Sequence, residues 1–269
     1  MSEHEARSAV LRIRWTRHGK VRFLGHRDTA RVWERALRRV GVPVAWTEGY
    51  SPRPRVSFGL ALPTGAESDG EYLEVRLRGP DPVSAVDGQP LRLDELPARL
   101  TEALPEGMAV TAVAMTEPGG PSLQQAVASC EWWVELRGID EAEARAVVRS
   151  VIDAPQLTWL RERKGRATLV DLRPAVRRLE VDGPTEVGWA LRAELDAQPR
   201  TVRPTELLAA APGGDRLLRG RWRRTHQWIS HEAGRREPLA PCVIRKASDD
   251  PEQRRARDPG RRTGELRSR

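Results

Sequence analysis

Residues Val10–Val40 read V-L-R-I-R-W-T-R-H-G-K-V-R-F-L-G-H-R-D-T-A-R-V-W-E-R-A-L-R-R-V. The spacing of the apolar side chains changes inside this stretch. Over Val10–Trp15 apolar residues and arginines alternate, the two-residue period of a strand. Beyond Asp28, Val32, Trp33, Ala36, Leu37 and Val40 recur at helical spacing. Asp28 is placed to cap that helix, with Gly41 and then Pro43 to stop it.

Outward from this strand and helix the alternation continues. Val42–Thr47 and Arg55–Leu60 read as extended, with the loop Glu48–Pro54 between or within them. Glu71–Leu77 alternates cleanly, Leu93–Leu104 is helical, and Ala109–Met115 is a closing strand. The order β-α-β-β-α-β predicts a ferredoxin-like sandwich over residues 8–116, an antiparallel sheet with two helices on one face. E-P-G-G-P-S at 117–122 reads as a linker. The order then recurs over 123–232: a strand Cys130–Arg137, a helix from Asp140 to Ile152, one or two strands in Leu157–Asp171 about Lys164–Gly165, a strand Val187–Leu195, a helix opened by Pro204, and an extended Arg216–Ile229. The expected fold is α+β, two tandem ferredoxin-like sandwiches. Four prolines and little apolar periodicity predict a disordered basic C-terminal tail over 233–269.

The chain has 269 residues, of which 39% are hydrophobic and 31% charged, enough apolar side chains for two domains. It has no 18-residue apolar run and no basic–apolar–small leader, so the expectation is a soluble, cytoplasmic chain with no membrane contact. Cys130 and Cys242 cannot by themselves build a four-thiolate zinc site or a three-thiolate iron–sulfur site. Net charge is +8, and all but three of the 46 basic residues are arginine. Residues 245–269 carry nine basic and five acidic residues, half of that excess, so the remainder is only mildly basic.

The densest chemistry lies in Lys20–Pro63. Arg27, Arg31, Arg35 and Arg38 fall at i, i+4, i+8 and i+11, which lines four guanidinium groups along the face opposite the apolar stripe. Such a ridge can follow a nucleic-acid backbone by bidentate phosphate pairing, with Arg22 just before it. The plainer reading is a solvated face in an arginine-rich chain. His26 beside Asp28 has the composition of a general acid/base, or simply of a helix start. In G-Y-S-P-R-P-R, Pro52 and Pro54 stiffen a loop opened by Gly49, presenting Tyr50, Arg53 and Arg55 for base stacking and phosphate pairing. Arg219, Arg221 and Arg223 share one strand face by the period of two, a second RNA-facing surface. Asp171-Leu172-Arg173-Pro174 and Arg203-Pro204-Thr205-Glu206 read as ion-paired structural corners. No phosphate-binding glycine loop, dinucleotide fingerprint or metal motif is present, so no cofactor or metal site is expected in this chain.

The segments K-V-R-F-L-G-H-R-D, G-V-P-V-A-W-T-E-G-Y-S-P-R-P-R-V-S-F-G-L-A-L-P and G-A-E-S-D-G-E-Y-L-E-V resemble the radical SAM-linked proteins that carry the DUF2344 domain. The resemblance spans roughly residues 10–230 and is strongest over 20–78. His26, Asp28, Gly49, Pro52 and Pro54 match the family pattern. Gly25 and Arg27 replace a serine and a leucine of F-L-S-H-L-D, while Tyr50, Ser51 and Arg53 replace residues of G-F-N-P-H-P. Arg53 in place of a histidine argues against a catalytic base in that loop. In such proteins the domain stands beside, or fused behind, a radical SAM protein of cobalamin-binding type. The resemblance thus implies a partner that holds the iron–sulfur cluster and S-adenosylmethionine; it lends no activity of its own, and the arginines and Tyr50 supply the leading expectation that this chain binds tRNA or another RNA. The architecture is also similar to tandem ferredoxin-like proteins that process CRISPR repeats, which would make His26 and Tyr50 nuclease residues; a third reading is a scaffold touching protein only.

Overall fold

A computed structural model describes residues 9–78, 92–116, 119–163, 165–214, 217–231 and 234–239. Strand β1 (Val10–Arg17) turns Leu11, Ile13 and Trp15 into the core, as its alternation requires. Helix α1 (His26–Val40) lies on that face, with Trp33 meeting Trp15 edge-on at 5.4 Å between ring centres. Gly41 ends α1 in the left-handed conformation, φ 79°, where a side chain would be strained. The start differs from expectation. The helix begins at His26 with Gly25 as its cap, and Asp28 makes no cap bond. Asp28 stands instead in the first turn, where a carboxylate suits the helix dipole, and accepts a hydrogen bond from Arg31 at 3.4 Å.

Strands β2 (Val56–Phe58), β3 (Glu67–Arg76) and β4 (Met108–Thr116), with helix α2 (Leu96–Ala103), complete the first half. Its antiparallel order is β4-β1-β3, with β2 on the other edge of β3. Helices α1 and α2 cover one apolar face of the sheet, Leu37 and Leu100 joining Leu11, Ile13, Leu73 and Val75 in one core.

The second half opens with a short helix α3 (Leu123–Ala126) and runs through β5 (Val127–Arg137) to α4 (Glu141–Ile152), which Asp140 and Glu143 cap reciprocally. The hairpin β6 (Thr158–Arg163)–β7 (Arg166–Asp171) forms a separate two-stranded sheet. The main sheet takes its next strands from β8 (Val176–Thr185) and β9 (Gly188–Asp196), then α5 (Pro204–Ala210) and β10 (Leu218–His231) follow. Sequence periodicity misses β8 because register shifts beside Val176 and Val181 break its alternation. The order is β10-β5-β9-β8, antiparallel throughout.

The two halves share one nine-stranded mixed sheet, and the fold is α+β with few helices. They join where β10 runs parallel to β3, Arg223 opposite Glu67 and Arg224 opposite Ser68. The expected tail is partly ordered. Strand β11 (Gly234–Arg236) pairs with the end of β10, and Glu237 then accepts from Arg14 (3.3 Å) and Tyr72 (3.2 Å). Residues 240–269 lie outside the described ones. Among the described residues no helix is long and apolar enough to cross a membrane.

Candidate nucleic-acid interface

Helix α1 buries Thr29, Trp33, Ala36, Leu37 and Val40, so Arg27, Arg31, Arg35 and Arg38 face outward together, all exposed. Arg31 is paired with Asp28 across exposed atoms, a contact worth little in water. Arg27, Arg35 and Arg38 have no carboxylate partner among the described residues. The ridge therefore stands as four neighbouring cations with a single acidic neighbour in contact.

The loop after α1 is a narrow hairpin. Thr47 N–H donates to the Arg53 carbonyl at 2.8 Å and Thr47 Oγ1 accepts from Arg53 N–H at 2.9 Å. Below them Trp46 bridges to Pro54, and Arg55 N–H donates to the Ala45 carbonyl. Gly49 takes φ 117° at the tip, which a side chain would resist. Tyr50 next to it is fully exposed, and Arg53 is exposed beside it. Arg55 is half-buried and already engaged. A cavity of about 340 Å³ joins the hairpin to the ridge, lined by Arg38 on one side and by Trp46 and Pro54 on the other.

The remaining arginines belong elsewhere. Arg22 pairs with Glu67 at 3.3 Å. It lines a polar cavity with Arg221 and Glu135 that none of the ridge arginines enters. Arg223 pairs with Asp69 at 3.2 Å and lies 5.4 Å over the Trp133 ring. Strand β10 does not keep the period of two that would place Arg219, Arg221 and Arg223 together. One extra residue bulges between Arg219, opposite Leu136, and Trp222, opposite Val134, which shifts Arg219 out of register with Arg223. Gly220 lies in the bulge and leaves room for the Glu135 carboxylate; a Cβ there would sit 2.2 Å from its Oε2. Glu135 in turn accepts from Arg221 N–H at 3.0 Å.

A family model described as an uncharacterized protein conserved in bacteria, DUF2344, matches residues 10–204. The chain belongs to the DUF2344 family. The matched residues hold the ridge and the hairpin, whereas β10 with Arg219, Arg221 and Arg223 falls outside them. No curated protein matches this DUF2344 chain.

The motif residues of this DUF2344 domain take mostly structural places. The His26 ring stands edge-on to Phe58, centres 5.3 Å apart, while the neighbouring Asp28 turns to Arg31. Asp171 accepts from the N–H groups of Leu157 (2.9 Å) and Arg173 (3.0 Å), and Arg173 donates to the Ile152 carbonyl at 2.9 Å. That corner is held by backbone groups, not by an Asp171–Arg173 ion pair. Arg203 caps α5, its N–H donating to Glu206, which also pairs with Arg200. Among the described residues no group of three His, Cys, Asp or Glu side chains is placed to hold a metal ion. Sequence reading gave no role to Trp46, 43% exposed, or to His18, whose Nε2 lies 3.2 Å from Asp69. Trp46 carried a signal: an aromatic at the foot of a proline-stiffened loop. His18 carried none, because Asp69 is remote in sequence.

Proposed function

We propose that this protein is an accessory RNA-binding protein that presents tRNA or another structured RNA to a radical SAM partner in the cytoplasm. The partner, of cobalamin-binding type, supplies the iron–sulfur cluster and S-adenosylmethionine; this chain supplies grip. One observation carries the reading: four outward guanidinium groups on α1 with a single carboxylate in contact, next to a hairpin that holds Tyr50 in water. Guanidinium groups without protein partners are open to bidentate phosphate contacts, and an exposed phenol offers a face to a base. The strand orders β4-β1-β3-β2 and β10-β5-β9-β8 support a finer fold reading, two ferredoxin-like units fused edge to edge.

The test is fluorescence anisotropy with labelled structured RNA from the host, at 50 to 400 mM salt. Replacing Arg31, Arg35 and Arg38 with glutamine removes up to three phosphate contacts, which flattens the log–log salt slope by roughly 2–3 and weakens binding about tenfold or more at low salt. Unchanged affinity and slope remove the ridge. If the chain then still copurifies with a radical SAM enzyme after nuclease treatment, it is a scaffold.

A further inference from the structure

The cavity between the end of α1 and the foot of the hairpin is a built pocket, and its lining is chemically mixed in a telling way. Its volume of about 340 Å³ falls at the small end of the roughly 300–1,000 Å³ usual for ligand sites. The floor is apolar: Leu37 and Val42 are buried, with Pro43 and Val44 beside them. Trp46 forms a wall that keeps 43% of its surface in solvent although it roots a rigid hairpin. Among the residues that line this apolar slot are the exposed arginines Arg38, Arg39 and Arg78, against one acidic residue, Glu34.

The local fold leaves these cations without partners. The exposed carbonyls at the end of α1 would ordinarily attract them. Here Arg99 Nη2 donates to the Val40 carbonyl at 3.0 Å, and Gly41 N–H serves Arg38 and Leu37. The side chains of Arg38, Arg39 and Arg78 make no hydrogen bond or ion pair with the described residues, although the Arg78 backbone N–H donates to the Pro43 carbonyl at 2.8 Å. An indole wall with cations at its rim is complementary to a flat aromatic ring that carries a phosphate.

We infer that this pocket receives one unstacked nucleobase, its ring against Trp46 and its phosphate among Arg38, Arg39 and Arg78. This deepens the RNA reading and rests on it: the ridge follows the backbone while the pocket takes a single base out of the strand. The same chemistry also admits a free nucleoside monophosphate, so the experiment has separate arms for the two sources.

Binding of full-length wild type, Trp46→Ala and Trp46→Phe is measured against a single-stranded ten-nucleotide RNA, a blunt RNA duplex of equal length, and AMP and UMP. Base–aromatic stacking is worth enough that Trp46→Ala weakens single-strand binding about tenfold, while Trp46→Phe, which keeps a ring, restores most of it. Duplex binding stays within twofold, because no base is free to enter. Circular dichroism melts confirm that both variants fold. Loss of nucleotide binding in Trp46→Ala without any RNA binding in wild type assigns the pocket to a free nucleotide and removes the RNA reading alone. Equal single-strand affinity in all three proteins, with no AMP or UMP binding, overturns the pocket and leaves the ridge standing. An equal loss on single strand and duplex also overturns it, since Trp46 would then act on the backbone.

Discussion

Arg224→Met should separate the two halves of the sheet energetically. Arg224 is fully buried on β10, and it reaches across the seam to β3. Its Nη2 lies 2.6 and 2.7 Å from the two Glu71 oxygens and 2.8 Å from the Leu60 carbonyl; its Nε lies 3.0 Å from Glu71. The guanidinium also sits 5.6 Å over the Trp132 ring. Burial works against its charge, yet Glu71 and the thiol of Cys130 hold its pKa above the ordinary arginine value. Methionine fills much of the volume but leaves Glu71, 6% exposed, as an unpaired buried carboxylate. Breaking one side of a buried pair costs about 3–5 kcal/mol, a large part of a total stability on the order of 5–15 kcal/mol. In urea, followed by far-ultraviolet circular dichroism, the midpoint should fall by roughly 1–2 M. Pairing Arg224→Met with Glu71→Leu should recover most of that loss, because a matched apolar pair avoids the desolvation of both ions. A single variant that loses less than ~1 kcal/mol would refute the reasoning. So would a double variant as weak as the single, since the cost would then come from shape and not from charge.

Two further outcomes follow from buried groups. Burial pushes the Cys130 thiol up to about 11, so in a Cys242→Ser protein a disulfide reagent at pH 8 should label nothing until denaturant is added; labelling of the native protein at the unfolded rate contradicts the burial. Burial alone would raise the Glu194 carboxyl, but hydrogen bonds from Ser129 (2.7 Å) and Arg235 overcome it and hold the group below the usual carboxylate range. A depressed carboxyl stabilises the fold above its unfolded value, about 4.3, and that stability disappears as pH falls through the folded value. Arg235→Gln should therefore move acid unfolding to higher pH, and an unmoved acid midpoint would sink the assignment.

How far the sequence reveals this fold depends on which interactions are local. Trp33 and Leu37 declare α1, and Asp140 with Glu143 declare α4, because helical spacing and capping act within a few residues. The Glu71–Arg224 pair and the Arg14–Tyr72–Glu237 cluster are invisible, since their members stand 153 and up to 223 residues apart. The same holds for β8, whose bulges hide its period, and for Gly234–Arg236, whose strand exists only because β10 offers it an edge. Of the candidate interface, the ridge and the hairpin were legible for the same local reason. The pocket between them was not, because it needs Arg78 brought back beside Arg38 by the return of β3.

Charge pairing is what leads the proposed function to favour one face of this basic chain over the other. On the face away from the helices, several arginines pair with acids of their own or neighbouring strands, directly opposite as for Arg12 and Glu74 or diagonally. Arg12 meets Glu74 at 2.6 Å, Arg223 meets Asp69, Arg192 meets Glu131 and Asp182, and Arg235 meets Glu194. At these pairs a polyanion would have to displace a carboxylate and leave that carboxylate poorly solvated. On α1 the acidic positions are only Asp28 and Glu34, and the guanidinium groups that flank them remain in water. A phosphate approaching that side displaces solvent and counterions alone, the less costly exchange. The net charge of +8 is thus a poor guide to the partner, whereas the unpaired guanidinium groups of α1 are why the proposed RNA reading puts the phosphate backbone on the helical side.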